Sequence, residues 1–324
     1  MFFPYEKIPE RLALDEAAWR EVSRVPWVVT EKIHGANFCL VTNGLEVRAA
    51  SRKAYLDEDD EFFGYRVVLE KYRKAVLALA AERAPIELLF VYGELFGGAY
   101  PHPDVPPNPN AQPVQSGVYY SPNLEFCAFD VGVLEQDELR LLDYEIATQA
   151  LGRVGIPFAK PLFIGRYDAA SMVSHDFDTT VPAQLGLPPL AGNRAEGIVL
   201  KPYSGSALRP SVKKKIEAFA ETRFHAVARS HTADSPLLQL TAASNAMCTP
   251  QRLDNALSKI GRVKPGDRKR REAAVSELVS DVMATLADQA TALWKRLPQR
   301  DRDGVRDHLR ARAEALLAAK LGER

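Results

Sequence analysis

Over roughly the first two thirds of the chain, apolar positions come in short runs of strand character; beyond that they switch to helical spacing. Residues 25–50 read as a β-hairpin. The runs Val25-Pro26-Trp27-Val28-Val29-Thr30 and Ala36-Asn37-Phe38-Cys39-Leu40-Val41 are β-rich, and Asn43-Gly44 supplies the positive-φ pair of a type I′ turn before Leu45-Glu46-Val47-Arg48. Phe62, Tyr65, Leu69, Tyr72, Val76 and Leu79 fall at helical spacing, which predicts a helix over residues 61–82. Residues 86–92 and 124–131 read as strands, separated by a stretch at 101–113 whose six prolines restrict it to a loop. Asp143 has the character of an N-cap for a helix ending near Gly155, and Ile198-Val199-Leu200 forms a short strand.

Beyond residue 230 the strand signal disappears. Val275, Leu278, Val279, Val282, Met283, Leu286, Leu293, Trp294 and Leu297 follow the i, i+3, i+4, i+7 rule, predicting one long helix with Trp294 in its core. Pro250 and Gly261 bracket a shorter helix, and Pro298 separates the long one from a last helix over 305–321. The pattern predicts a mixed α/β domain at 1–230 and a smaller all-helical domain at 235–324.

Composition narrows the class. With 324 residues, 46% hydrophobic and 26% charged, the chain is neither collagen-like, nor a disulfide scaffold, nor wholly disordered. Cys39, Cys127 and Cys248 are an odd number, far apart and without metal-ligand spacing, and read as free thiols in a reducing compartment. The start, Met1-Phe2-Phe3-Pro4-Tyr5-Glu6, lacks the basic and apolar regions of a signal peptide. No apolar run approaches the ~20 residues of a membrane span, so a cytoplasmic location is expected. The net charge of zero hides an asymmetry. Residues 209–324 carry 23 Lys+Arg against 14 Asp+Glu, and residues 1–208 carry 19 against 28. A net of +9 beside −9 fits a polyanion partner for the C-terminal part, or solvated Arg-rich helix faces.

The most informative string is Thr30-Glu31-Lys32-Ile33-His34-Gly35-Ala36-Asn37-Phe38. It puts a lysine in the turn between two strands, with a glycine three residues on that lets backbone come close to a ligand. Lysine is a nucleophile only when neutral, which neighbouring cations or a metal favour. By itself K-x-x-G arises about once by chance in a chain this long, and a surface hairpin lysine is the plain reading. Further elements follow in order: Ser51-Arg52, Tyr92-Gly93-Glu94-Leu95-Phe96-Gly97, Phe126-Cys127-Ala128-Phe129-Asp130, Ala195-Glu196-Gly197-Ile198-Val199-Leu200-Lys201-Pro202, and Val212-Lys213-Lys214-Lys215-Ile216-Glu217-Ala218-Phe219. Lys213 and Lys215, two apart on a strand, project to one face while Lys214 points away.

This ordered series resembles the motifs of the covalent nucleotidyltransferase superfamily of polynucleotide ligases and mRNA capping enzymes. Its K-x-H-G-x-N form is most similar to the phage T4 RNA ligase 2 family, relatives of the trypanosome RNA-editing ligases. The resemblance spans residues 30–219. It implies an α/β (α+β) nucleotidyltransferase fold, an ATP-grasp-like ligase core of antiparallel sheets with flanking helices, plus a small all-α C-terminal domain. It also implies an ATP-dependent RNA ligase that seals 3′-hydroxyl and 5′-phosphate ends, with nicked duplex RNA as substrate; nothing in the sequence requires more than a monomer or a membrane. In that reading Lys32 attacks the ATP α-phosphate and holds AMP, and Glu31 and Ile33 line the adenine pocket. Phe129 stacks on the purine, Arg52 and Glu94 meet the ribose and nucleotide, and Lys213 and Lys215 contact the α-phosphate. Mg²⁺, or Mn²⁺, would be held by Glu196 with Asp130, directly or through water; the plain alternative for Glu196 is a strand-end role. His34 and Asn37 are placed near the phosphate and the nick, although a histidine beside a tight turn is often only a backbone hydrogen-bond partner. Phe219 is read as packing.

Other features take plainer readings. His102, His175, His225, His231 and His308 are scattered without ligand spacing, so no zinc site is expected. Arg268-Lys269-Arg270-Arg271 is either a solvated cluster or a phosphate contact near a helix start, where cations oppose the helix dipole. Three rivals stand beside the ligase reading. A DNA ligase or a capping guanylyltransferase would follow this core with an OB-fold barrel, for which residues after 230 offer no strands. An inactive RNA-end-binding scaffold would not need a nucleophilic lysine.

Overall fold

The β-rich runs form strands that divide between two antiparallel sheets. A computed structural model describes residues 2–219 and 235–323, so His225 and His231 lie outside the described residues. The chain separates into two compact units at Ala218/Phe219, just after the last strand. In the first unit the strands are β1 (Trp27–Glu31), β2 (Ala36–Thr42), β3 (Val47–Ser51), β4 (Leu88–Ala99), β5 (Ser121–Glu135), β6 (Glu138–Leu141), β7 (Pro161–Gly165), β8 (Gly197–Pro202) and β9 (Val212–Lys215). The sheet orders are β7-β1-β8-β9 and β3-β2-β4-β5-β6.

The five-stranded sheet is buried on both faces. Phe38, Leu40, Leu89, Val91, Leu95 and Phe126 pack on one side with helices α2 (Arg66–Ala81) and α3 (Tyr144–Arg153). The alternate residues Cys39, Val41, Phe90 and Tyr92 face the other side, covered by Phe2, Phe3 and Tyr5. Two-sided burial is why β4 reads as a nearly continuous apolar run. Each fully buried phenylalanine here contributes about 1.5–3 kcal/mol on leaving water. The four-stranded sheet buries Trp27, Val29, Ile198, Leu200 and Val212 against Val22 of α1 (Glu16–Val22) and Ala170 of α4 (Tyr167–Ser171). A short helix α5 (Val181–Gln184) lies between β7 and β8.

Three local expectations are corrected. Residues 25–50 are not one hairpin: β1 pairs with β7 and β8, whereas β2 pairs with β3 and β4. Asn43-Gly44 does not form a type I′ turn either. Only Gly44 has positive φ (87°), and the loop holds four residues between the paired Thr42 and Val47. Asn43 Oδ1 accepts from the amides of Leu45 and Glu46, both at 3.0 Å, an Asx-type closure that stabilises the longer loop. The two consecutive positive-φ residues occur instead at Gln136 and Asp137 (54° and 62°), between paired Glu135 and Glu138. Finally, α2 begins at Arg66 because Phe63 and Gly64 both have positive φ and interrupt the pattern before it.

In the second unit the described residues 235–323 form helices and no strand: α6 (Pro236–Met247), α7 (Pro250–Ile260), α8 (Arg268–Gln289), α9 (Thr291–Arg296) and α10 (Gln299–Lys320). Side chains of Ser235, Thr249 and Asp267 cap α6, α7 and α8, and Gly261 (φ 87°) ends α7. The expected single helix through residue 297 is broken at Ala290. The Thr291 hydroxyl donates to the carbonyls of Ala287 (2.9 Å) and Asp288 (2.8 Å), competing with the helical ladder. Beyond the break Trp294 is half-buried at the core's edge, with the Arg302 guanidinium 5.6 Å from its ring centroid, rather than in the core. Arg252 of α7 is 1% exposed and donates to Asp281 (2.6 Å) and Thr285 (3.1 Å) of α8. Arg268 and Lys269 are exposed, whereas Arg270 and Arg271 reach the carbonyls of Arg262 and Pro265. Among the described residues no helix is long and apolar enough to cross a membrane.

Candidate active site

Lys32 is not in a hairpin turn. It opens the short crossing from β1, in one sheet, to β2, in the other. Its N–H donates to the Gly197 carbonyl at 2.9 Å, fastening the crossing to the start of β8. Gly35 ends it, and a Cβ there would lie 2.2 Å from the Leu95 carbonyl oxygen. The close approach that requires glycine is therefore to strand β4.

Glu196 is the hub. Only 2% exposed, it takes Lys32 Nζ (2.6 Å) and His34 Nδ1 (3.2 Å) on Oε2 and Lys215 Nζ (2.9 Å) on Oε1. The backbone makes this convergence possible: Gly197 pairs with Lys215 across β8 and β9, and Ile216 N–H donates to the Glu196 carbonyl at 3.1 Å. Burial alone would raise the Glu196 pKa, but Lys32, Lys215 and His34 together hold it well below the ordinary value. Lys214 turns the other way, onto the Ser171 carbonyl.

A second carboxylate faces the first. Glu94 stands opposite Asn37 in the β2–β4 register, is half-buried, and receives the Gly35 N–H. Burial, with Glu196 nearby, pushes its pKa up to about 7 against the opposing pull of Lys32 and Arg52. Because the folded value lies above the ordinary 4.5, the stability held by the neutral form is present at low pH and lost as pH rises through about 7. Glu94→Gln should therefore gain on wild type in urea unfolding between pH 5 and 8. A stability difference that does not change with pH would contradict the assignment.

A family model described as RNA ligase matches residues 25–215, and one described as T4 RNA ligase 2 C-terminal matches residues 233–315. The chain belongs to the RNA ligase family. RNA-editing ligase 1, mitochondrial, of Trypanosoma brucei brucei is 30% identical over 329 aligned positions, covering 81% of this chain and 70% of the relative. RNA-editing ligase 2, mitochondrial, of the same organism is 32% identical over 200 residues, 54% of this chain; the match spans 48% of that relative, about half its length. Among solved structures, an alanine mutant of the Naegleria gruberi RNA ligase with ATP and Mn aligns at 14% identity and TM-score 0.44, over 62% of this chain and 52% of that one.

Other expected site residues of this RNA ligase family member lie farther from the hub. The Asp130 carboxylate is taken by Lys201 Nζ (2.7 Å) and the Tyr5 hydroxyl (2.6 Å). Lys201 follows Glu196 by five residues, and the two acids draw on different lysines. Among the described residues no group of three or more His, Cys, Asp or Glu side chains could hold a metal. Of the two carboxylates expected at a metal, Glu196 is ion-paired with Lys32 and Lys215 and Asp130 with Lys201. His102, His175 and His308 belong to no such group. Phe129 is half-buried, its ring edge-on to Tyr5 (4.8 Å between centroids) and its carbonyl accepting from Lys201 at 2.6 Å. Glu31 turns its carboxylate onto Thr179 and Thr180, and Ile33 and Phe219 are buried. Lys213 pairs with Val199 and donates its N–H to the Pro9 carbonyl at 2.9 Å. Tyr5, Tyr120, Thr179, Thr180 and Asn193 carried no sequence signal; Lys201 lay inside a quoted motif with no role.

Proposed function

We propose that the chain is an ATP-dependent RNA ligase that joins 3′-hydroxyl and 5′-phosphate ends, with nicked duplex RNA as its preferred substrate. One observation carries the reading: a partly exposed lysine amine, a second buried ammonium and an imidazole converge on one buried carboxylate. Ordinary surface lysines have no use for such a pocket.

The chemistry follows three steps. Lys32 Nζ, once it has lost a proton, forms a P–N bond to the ATP α-phosphorus while the bond to the β-phosphate oxygen breaks and pyrophosphate leaves. The AMP then passes to the RNA 5′-phosphate and frees the lysine. Attack by the 3′-hydroxyl on that phosphate forms the phosphodiester, loses a proton and expels AMP. Glu196 keeps Lys32 and Lys215 in place before ATP arrives, and its strongly held negative charge suits it to positioning rather than to taking the proton. Lys215, with Lys213 on the same strand face, supplies positive charge where the α-phosphate develops negative charge. Arg52, Glu94 and Asn37 meet the nucleotide, Ile33 lines the base, and Phe129 borders the site. Mg²⁺ or Mn²⁺ would enter with ATP and neutralise charge on its phosphates.

The excess of basic residues over 219–324, 19 Lys+Arg against 13 Asp+Glu, supports phosphate-backbone contact by the helical unit, which suits sequence-independent recognition of A-form duplex. The protein works as a monomer in this reading. The three buried free thiols favour a reducing compartment, here the cytoplasm. Sealing of a 5′-labelled nick tests the reading. Nicked duplex RNA with ATP should be joined faster than nicked duplex DNA, and GTP should not replace ATP. Preferred sealing of DNA, or use of GTP, would overturn it.

A further inference from the structure

Two polar clamps grip the chain on either side of Lys32. On one side the buried Glu31 carboxylate accepts from the Thr180 N–H (2.8 Å), the Thr180 hydroxyl (2.7 Å) and the Thr179 hydroxyl. On the other, the His34 N–H donates to the Tyr120 phenol oxygen at 2.9 Å. Asn193, 6% exposed, joins the clamps. Its side chain accepts from the Tyr119 N–H (2.9 Å) and donates to the Tyr119 carbonyl (2.6 Å), while its own carbonyl accepts from the Thr179 N–H (2.9 Å).

The arrangement matters because residues 32–35 cross between sheets and have no strand ladder to hold them. The imidazole of His34 and the amine of Lys32 share Glu196 Oε2, at 3.2 and 2.6 Å, so a shift of the His34 backbone moves the imidazole that shares this carboxylate with the nucleophile. Tyr120 is fully buried, its ring edge-on to Phe96 with 5.1 Å between centroids. A phenylalanine would fill that space equally well; the hydroxyl is there to take the His34 N–H. Burial, together with Glu31, raises the phenol pKa well above the ordinary value, so it stays protonated.

We propose that Tyr120 and Asn193 are positioning residues for nucleotide capture: they fix the two flanks of Lys32 and thereby the rate at which its amine reacts, without touching ATP. The proposal rests on the adenylylation reading above. Its test is single-turnover self-adenylylation across a series of ATP concentrations for wild type, Tyr120→Phe, Asn193→Ala and the double variant. Tyr144→Phe is the control, because it removes a buried hydroxyl that donates to the Ala159 carbonyl at 2.6 Å, outside the clamps.

Tyr120→Phe and Asn193→Ala should each lower the maximal rate by roughly tenfold to a hundredfold, with the half-saturating ATP concentration nearly unchanged. The double variant should lose less than the product of the two, as members of one network do. Tyr144→Phe should react at the wild-type rate. A Tyr120→Phe rate equal to that of Tyr144→Phe, or a loss lying wholly in ATP half-saturation, would overturn the proposal. If wild type itself takes no AMP, the adenylylation reading fails. Reductive methylation of Lys32 without nucleotide then judges the clamps separately. It should run several-fold faster in Tyr120→Phe than in wild type or Tyr144→Phe, and equal rates would overturn the proposal on this arm too.

Discussion

Glu196→Gln should sharply slow nucleotide transfer to Lys32 and destabilise the first unit. The substitution keeps size and removes the charge that Lys32, His34 and Lys215 share. Two ammonium groups then remain in a site where the carboxylate was 2% exposed and Lys215 8%. Breaking a buried pair by removing one partner costs about 3–5 kcal/mol; partial exposure of Lys32 places the expected loss near the lower figure. For a unit of this size that is a fall in melting temperature of roughly 6–12 °C. Transfer should slow by about a thousandfold or more, the scale of losing a preorganised electrostatic group in an active site. The sign of the pH dependence is fixed by the depressed Glu196 pKa. The stabilisation is present above the ordinary carboxylate value of 4.5 and lost as pH falls through the lower folded value. Melting curves of wild type and variant should converge on acidification below 4.5; a gap that persists undiminished would count against the charge as its cause.

Gly197→Ala should be nearly as damaging, through the backbone. A Cβ at residue 197 would lie 1.9 Å from the Lys214 carbonyl oxygen, and the residue holds φ +148°. Relief requires β8 and β9 to part at the pair formed by Gly197 and Lys215, which is the junction that brings Glu196 to Lys215. The expected cost is about 3 kcal/mol or more, from a backbone conformation closed to side chains added to a steric clash. Gly44→Ala is the comparison: its φ is +87° but nothing lies within 4 Å of an added Cβ, so about 1–2 kcal/mol is expected. Urea unfolding of the two variants measures the difference. Equal losses would show that conformation, rather than the β8–β9 approach, sets the need for Gly197.

What the sequence made legible follows physical range. The i, i+3, i+4 stripe marked α8, and Pro250 with Gly261 bounded α7, because caps and amphipathic faces are local. Strand existence was legible as well: residues 36–41, 86–92 and 124–131 fall within β2, β4 and β5, apart from the first two residues of the middle run. Sheet membership was not. Nothing in residues 25–50 shows that β1 leaves its neighbour for β7 and β8, since those partners arrive more than a hundred residues later. The same distance hid the partners of the acids. Asp130 lies inside β5, and Lys201 and Tyr5 reach it from distant parts of the chain. The ordered motifs located Lys32, Glu196 and Lys215 because family chemistry repeats those residue types in order. Tyr120 and Asn193 act only through hydrogen bonds made in the folded state.

Covalent capture at Lys32 is the central claim, and its most direct measurement is incubation of AMP-free, folded protein with α-labelled ATP and Mg²⁺, followed by denaturation and peptide mapping. The account predicts label that survives denaturation, maps to the peptide containing Lys32, and is missing from Lys32→Ala. Wild-type protein without label, or label on another residue that persists in Lys32→Ala, would contradict it.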